Sequence, residues 1–502
     1  MVVPRTRLVS SAALCVAALC VAALAGCSDD SASLDDLDIG CFALDHLASF
    51  ETSRDFAPAV RHTLEGWQPD GRWFLTGARI TANSSLHLAR IGPRVIIDRD
   101  FEAPARVDDT EVFQRIAVAD DSGNHLVTAT RISNLQPDGT ARAERAMCVN
   151  DACSVCTAKL IRATHNADEG EGEGLRLLGE LGAPAWDMSY TLNVRVAGTV
   201  AYVIRRDGLY TVDTADPTRP FELGHYRRAV PSYPNDVKLV DAGDRRFAVI
   251  ADTPIDVVDV TDPSAPALAS QIPEAAHTLF TETRGGTTLA YLGNYDGKCA
   301  VYDVTDPTVP RKVGSYDTGA TLVHDLSVEN GIAYLNAWEK GFVVVDFTTP
   351  AQPRLLGNWF STPTHTSHSN WTTLAGGRRI ALHGEEAYDA HLNIVDVDPA
   401  SPSYMMPFAS WQTRPWISIH NIMAFGTRAY LTHYQDGVRI LDVADPANPR
   451  QIAYYNTWDP QGDDATSAFY EGAVGLDVDR ARGLVFVADT PRGLLILGDD
   501  TR

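Results

Sequence analysis

Val301-Tyr302-Asp303-Val304-Thr305-Asp306-Pro307 decides the fold, because variants of this run return about every 45 residues. Leu209-Tyr210-Thr211-Val212-Asp213 leads into Asp216-Pro217, and Val257-Val258-Asp259-Val260 into Asp262-Pro263. Val343-Val344-Val345-Asp346-Phe347 leads into Thr349-Pro350, and Leu392-Asn393-Ile394-Val395-Asp396-Val397 into Asp398-Pro399. Val438-Arg439-Ile440-Leu441-Asp442-Val443 leads into Asp445-Pro446, and Leu494-Leu495-Ile496-Leu497 is a seventh, degenerate copy. A fixed period of this size means one supersecondary unit stacked many times.

Each unit reads as four short strands. In the copy that begins at His324 they are His324 to Val328, Ile332 to Asn336, Phe342 to Phe347 and Arg354 to Trp359. Runs of β-branched and aromatic residues bounded by Gly, Pro and Asp are strand signals. Asp before Pro suits the turns, since Pro fixes φ and the carboxylate accepts nearby amides. Four-stranded units arranged radially make a β-propeller. Seven third strands but only six following fourth strands leave one blade short. Leu175-Arg176-Leu177-Leu178-Gly179-Glu180-Leu181 repeats the fourth-strand pattern of Arg354-Leu355-Leu356-Gly357 and precedes the first unit. The expected fold is therefore an all-β, seven-bladed propeller over residues 175–497, closed by an N-terminal strand that removes open sheet edges.

The third-strand pattern, carried by Val345-Asp346, Ile394-Val395-Asp396 and Ile440-Leu441-Asp442, resembles the LVIVD repeat family. His420-Asn421-Ile422 and Ala429-Tyr430-Leu431 extend the likeness in the sixth unit. The resemblance implies an extracytoplasmic propeller and implies little about activity.

Residues 1–26 read as an address. Arg5 and Arg7 precede an apolar run from Leu8 to Ala25, and Leu24-Ala25-Gly26-Cys27 looks like a lipobox, in which Cys27 would carry lipid. A transmembrane anchor is the competing reading of a run this long. The small residues before Cys27 and the Ser28-Asp29-Asp30 tether after it favour lipidation, with residues 27–40 as a tether. Ser28 points to the outer membrane. The expectation is a cell-envelope protein that touches membrane only through its anchor. A net charge of −23 argues against nucleic acid as a partner.

Residues 41–165 lack the repeat and read as a small antiparallel β domain. Cys41, Cys148, Cys153 and Cys156 fall in it, while Cys299 begins a third strand. An exported chain favours two disulfides among the four, with three pairings open, over a zinc site built on Cys148, Cys153 and Cys156. Residues 166–174, rich in Gly and Glu, are expected to form a mobile acidic linker.

Aligned first strands begin with Leu192, Asn235, His277, His324, His368, His420 and Val474. In a propeller these positions face the central channel, on the side where second strands end. Second-strand ends add His383, Glu385 and Glu386 in blade five and His433 in blade six, and His365 lies ahead of His368. Gly293 and Ile250 are aligned with His383, so the repeat itself does not ask for histidine there. The expectation is a cluster of His365, His368, His383, Glu385, Glu386, His420 and His433 at one channel mouth. Imidazole with carboxylate suits a divalent transition metal such as zinc, or acid–base work. His277, His324, Trp338 and Tyr434 are expected on the same face as ligand contacts; the bland alternative for the histidines is stapling the neighbouring blade. The repeated aspartates, Asp303 and its equivalents, read as turn caps.

The sequence holds no Gly-x-Ser-x-Gly elbow, no phosphate-cradling glycine loop and no His-Glu-x-x-His pair. The leading expectation is thus a binding lipoprotein that holds an envelope protein, peptide or glycan on its top face. The alternatives are a metal-dependent extracytoplasmic hydrolase with Glu385 or Glu386 as base, and a purely structural envelope module.

Overall fold

A computed structural model describes residues 40–44, 48–56, 64–76, 85–97, 105–119, 123, 125–150, 152–183, 185–186, 190–228, 234–361, 366–460 and 471–502. The expected signal segment, the Cys27 lipidation site, nearly all of the tether and His365 lie outside these residues.

Seven antiparallel sheets form the propeller, each with four blade strands, which in six of them are consecutive in the chain. In blade four the strands are Asp325–Glu329, Ile332–Ala337, Gly341–Asp346 and Arg354–Trp359. Blade seven takes its fourth strand from Leu175–Leu181, which pairs antiparallel with Gly493–Asp499, Leu175 opposite Asp499 and Leu181 opposite Leu494.

Two repeated devices set the ring. At the end of each third strand an aspartate accepts the amide two residues on, as Asp213, Asp259, Asp303, Asp346, Asp396, Asp442 and Asp499 do from Ala215, Thr261, Thr305, Thr348, Asp398, Ala444 and Thr501. The turns so fixed dock on the preceding blade. Every fourth strand carries a one-residue bulge at Leu178, Leu223, Ala269, Val313, Leu356, Phe408 or Ile452. The residue after it is always small: Gly179, Gly224, Ser270, Gly314, Gly357, Ala409 and Ala453. A Cβ at Gly179 would meet the Pro217 carbonyl at 2.5 Å, and one at Gly314 the Pro350 carbonyl at 1.9 Å. Ser270 instead donates its hydroxyl to the Pro307 carbonyl at 2.6 Å. Bulge plus small residue therefore opens the notch that seats the next blade's turn.

The N-terminal domain is an eight-stranded antiparallel barrel. Gly71–Thr76, Ser85–Ile91, Arg94–Ile97, Ala105–Val107, Glu111–Ala119, His125–Ser133, Ala141–Val149 and Ala152–Arg162 pair in chain order. The last returns to the first through Trp73 opposite Arg162 and Thr76 opposite Lys159. Trp73, Leu75, Leu86, Leu88, Val95, Ile97, Ile132 and Leu160 share one core, as alternation along strands requires. The disulfides are Cys41–Cys156 and Cys148–Cys153, each joining residues directly opposite on paired strands. Cys299 is a buried free thiol.

Arg72 and Phe74, the alternate residues of Gly71–Thr76, point out of the barrel onto the propeller. Phe74 stacks on Trp458 at 5.6 Å and shares a core with Ala163, Trp186, Ile417 and Tyr434. Arg72 pairs with Glu471 at 3.5 Å, both buried, and Arg414 donates to the Thr164 carbonyl at 3.1 Å. The linker corrects its expected mobility. Glu169 pairs with Arg439 at 2.8 Å, Glu171 accepts from the Tyr455 hydroxyl at 2.7 Å, and Gly172–Glu173 adds a fifth strand to blade six. Its acidic residues are the counter-charges and acceptors of blade six, which is why a Gly/Glu composition orders here.

Candidate functional site

The first strand of a blade would normally alternate its side chains between two faces. In blades one, three, five and seven the ladder to the second strand skips one residue at the channel mouth: Leu192, His277, His368 and Val474. These are bulged positions, and a bulge re-aims its side chain. His324 and His420 stand at the same place, just ahead of their strands. All seven residues of the column line one cavity of about 460 Å³ on the propeller axis.

The four histidines follow one another round the wall from blade three to blade six. Ring centroids are 3.9 Å apart for His277–His324, 4.1 Å for His324–His368 and 4.7 Å for His368–His420. Nδ1 of His277 donates to the His324 carbonyl at 2.9 Å, and Nδ1 of His420 to the Val474 carbonyl at 2.7 Å. His324 and His368 face the carbonyls of His368 and His420 in the same sense, short of full hydrogen-bond geometry. The stapling role weighed for these histidines thus occupies one ring nitrogen and leaves the other. Burial pushes His277 and His420 down to about 4, and burial with neighbouring imidazoles holds His324 and His368 well below the usual histidine range. All four are neutral at physiological pH.

Strand register places Tyr295, Trp338, Glu386 and Tyr434 at one equivalent position, just past the end of the second strand. Blade five therefore carries a carboxylate where blades three, four and six carry an aromatic. Glu386 accepts the Tyr434 hydroxyl and lies 3.7 Å from His368 Nε2; burial raises its carboxyl to about 7. Trp338 stacks on His324 at 4.8 Å and Tyr434 meets His420 edge-on at 5.0 Å. Both aromatics have left-handed backbones, φ 24° and 44°, a costly conformation for bulky residues.

The expected cluster of seven is corrected here. The structure brings together His368, Glu386 and His420, and adds His324 and His277. His383 is turned into the wall. It bonds the Ser367 hydroxyl at 2.8 Å and packs edge-on against Phe342 and Trp359. Register aligns it with Leu292, Leu335 and Leu431, not with Gly293, so it fills a core position. Glu385 is buried beside the His391 amide, away from the cavity lining. His433 packs on Trp411 and near Thr413, next to the Arg414–Asp436 pair. Trp338 and Tyr434, expected as ligand contacts, back the histidines rather than line the cavity; Tyr434 is fully buried under the barrel.

Sequence reading missed a second set further along the channel. Asp236 accepts from Lys238, Asn193 and the Leu279 amide, and Thr278 Oγ1 bridges it to Asp325 at 3.0 and 3.1 Å. Arg195 lies 3.4 Å from Asp236. Burial opposes the Asp236 charge, but Lys238 and Arg195 hold its carboxyl below the usual range. Burial with Arg195 lowers Lys238 to about 8, and burial with Asp236 raises Asp325 to about 7. The available signal was charge at first-strand positions that should face a channel. Phe280, Trp371, Met423 and Leu476 complete the lining.

A family model described as LVIVD repeat matches residues 189–227, 245–272 and 322–360. The chain carries LVIVD repeats. Those segments cover blade one, most of blade two and blade four. Two solved structures match the chain. One is the computationally designed Ika8 protein: 10% identity over 64% of this chain and 99% of that one, TM-score 0.43. The other is BamB from Moraxella catarrhalis: 13% identity over 77% and 97%, TM-score 0.40. A search of curated proteins finds no significant match.

Proposed function

We propose that this LVIVD-repeat propeller is a cell-envelope binding protein, lipid-anchored at Cys27 in the outer membrane, which holds part of a protein, peptide or glycan in the mouth of its channel. One observation carries the reading: a cavity of about 460 Å³ lined by neutral histidines and by the Arg195–Asp236–Lys238–Asp325 set. A purely structural ring has no need of buried charge around an open axis, since buried charge is costly. The volume falls within the roughly 300–1,000 Å³ of small-ligand sites. The bound part is therefore small, such as a peptide terminus, a side chain or one sugar ring. The barrel contacts the loops between blades five and one, and Tyr295, 44% exposed, stands over blade three as an open approach.

The test has two arms. Metabolic lipid labelling should mark the wild-type chain and leave Cys27→Ser unmarked. Native mass spectrometry with short peptides and with oligosaccharides should find a complex that Lys238→Met weakens at least tenfold. A protein that binds neither class, or binds equally well without Lys238, contradicts the channel reading. The second reading, a metal-dependent extracytoplasmic hydrolase, is favoured by the closeness of Glu386 to His368; ester or amide cleavage that stops in Glu386→Gln would establish it instead.

A further inference from the structure

We infer that His324, His368 and Glu386 form a site for a divalent first-row transition metal, zinc being the best match, at the mouth of the propeller channel. One ligand atom from each lies within 4.8 Å of the other two, and all three side chains are buried. Tetrahedral zinc holds its ligands at roughly 2.0–2.1 Å, which sets them roughly 3.3 Å from one another. His368 Nε2 and Glu386 Oε1, at 3.7 Å, are already close to that spacing. The widest pair, within 4.8 Å, closes to that spacing with a movement of at most about 1.5 Å.

Three further observations point to a ligand rather than to packing. First, His368 is 1% exposed, yet neither of its ring nitrogens completes a hydrogen bond among the described residues. Buried polar groups of native proteins are nearly always satisfied. Second, the fold does not ask for these residues. Leu192, Asn235 and Val474 serve the same position in other blades, and Tyr295, Trp338 and Tyr434 replace Glu386. Third, the donors come with the outer partners a metal site needs. The Tyr434 hydroxyl donates to Glu386, Trp338 stacks on His324, and the His324 ring meets the His368 backbone. Two imidazoles and a carboxylate are a borderline donor set, suited to zinc and its neighbours rather than to calcium or magnesium. Three protein ligands leave a fourth position, which faces the cavity, so a bound metal would present an open coordination site to whatever enters the channel.

The full-length protein, stripped with a chelator, is titrated with zinc chloride by calorimetry and with cobalt by visible absorption. The expected result is one equivalent bound. Affinity falls more than 100-fold in His368→Gln and in Glu386→Gln and about tenfold in Tyr434→Phe. It is unchanged in His383→Gln, which alters a buried histidine outside the site. No stoichiometric uptake, or uptake indifferent to His368 and Glu386, overturns the site. X-ray absorption of the zinc-loaded wild type decides the matter where a variant does not fold: two imidazoles with carboxylate oxygen support it, and a thiolate or all-oxygen shell refutes it. The probe is the metal alone, so failure of the peptide or glycan reading leaves this test intact.

Discussion

Gly314→Ala measures how tightly the ring is geared. Gly314 follows the bulge in the fourth strand of blade three, and a methyl group there would lie 1.9 Å from the Pro350 carbonyl oxygen and 2.5 Å from its carbon. A carbon–oxygen contact needs roughly 3.3 Å, so strand and turn must part by more than about 1 Å. Both are backbone, and no rotamer change relieves the clash. Overpacking of this kind costs about 1–3 kcal/mol, against about 0.4–1 kcal/mol gained by restricting the unfolded chain. The balance is a loss of roughly 1–2 kcal/mol. Unfolding entropy near 2.1 cal/mol/K per residue, over about 325 residues, amounts to about 0.7 kcal/mol/K. Scanning calorimetry should therefore show the propeller transition lowered by roughly 1–3 °C. Gly170→Ala, with nothing within 4 Å of the added carbon, should leave it in place. An unchanged or raised transition in Gly314→Ala would mean that the Thr349-Pro350 turn is not seated in the notch, and the account of the repeat would fail.

The two disulfides should differ in worth. Cys41–Cys156 closes 115 residues and Cys148–Cys153 only 5, which chain entropy converts to about 5 and 2 kcal/mol. Cys41→Ser should speed hydrogen exchange in Ala152–Arg162 well beyond Cys148→Ser, and equal effects would count against the entropic account. Asp325→Asn tests the channel charges. Burial and Asp236 raise the Asp325 carboxyl to about 7, so its contribution to stability is present below about pH 4 and is lost as pH rises through 7. The variant does not titrate there, so its melting temperature relative to wild type should climb from pH 5 to pH 8. A difference that stays flat across that window refutes the coupling.

The ring was legible because its causes repeat. An aspartate capping a turn and a small residue after a bulge recur blade after blade, and the count of third against fourth strands demanded the closing strand at Leu175–Leu181. The histidine column was legible for the same reason, since each residue opens a first strand. What was not legible turned on single-residue register. His383 and Glu386 are three apart, and strand alternation sends them to opposite sides of the blade. Only the pairing of Ile380 with Asp396 shows that His383 stands in a leucine's place. The docking of the linker on Arg439 and Tyr455 was hidden too, because composition records charge without recording its partner.

Positions that a repeat fold needs are filled alike in every blade. Those filled differently in one sector answer to something else. Departures here gather on one side: histidines open blades three to six, a carboxylate replaces the aromatic in blade five, and a second carboxylate–lysine set joins blades two to four. The barrel meets this sector at blade six. It covers Tyr434, and Tyr434 holds Glu386. Phe74, Trp458, Tyr434 and Glu386 thus link the N-terminal domain to the channel mouth through packed and hydrogen-bonded contacts. Loosening that chain with Phe74→Ala should disturb the Glu386 carboxylate before it disturbs the blades, because each blade is held by its own notch and cap.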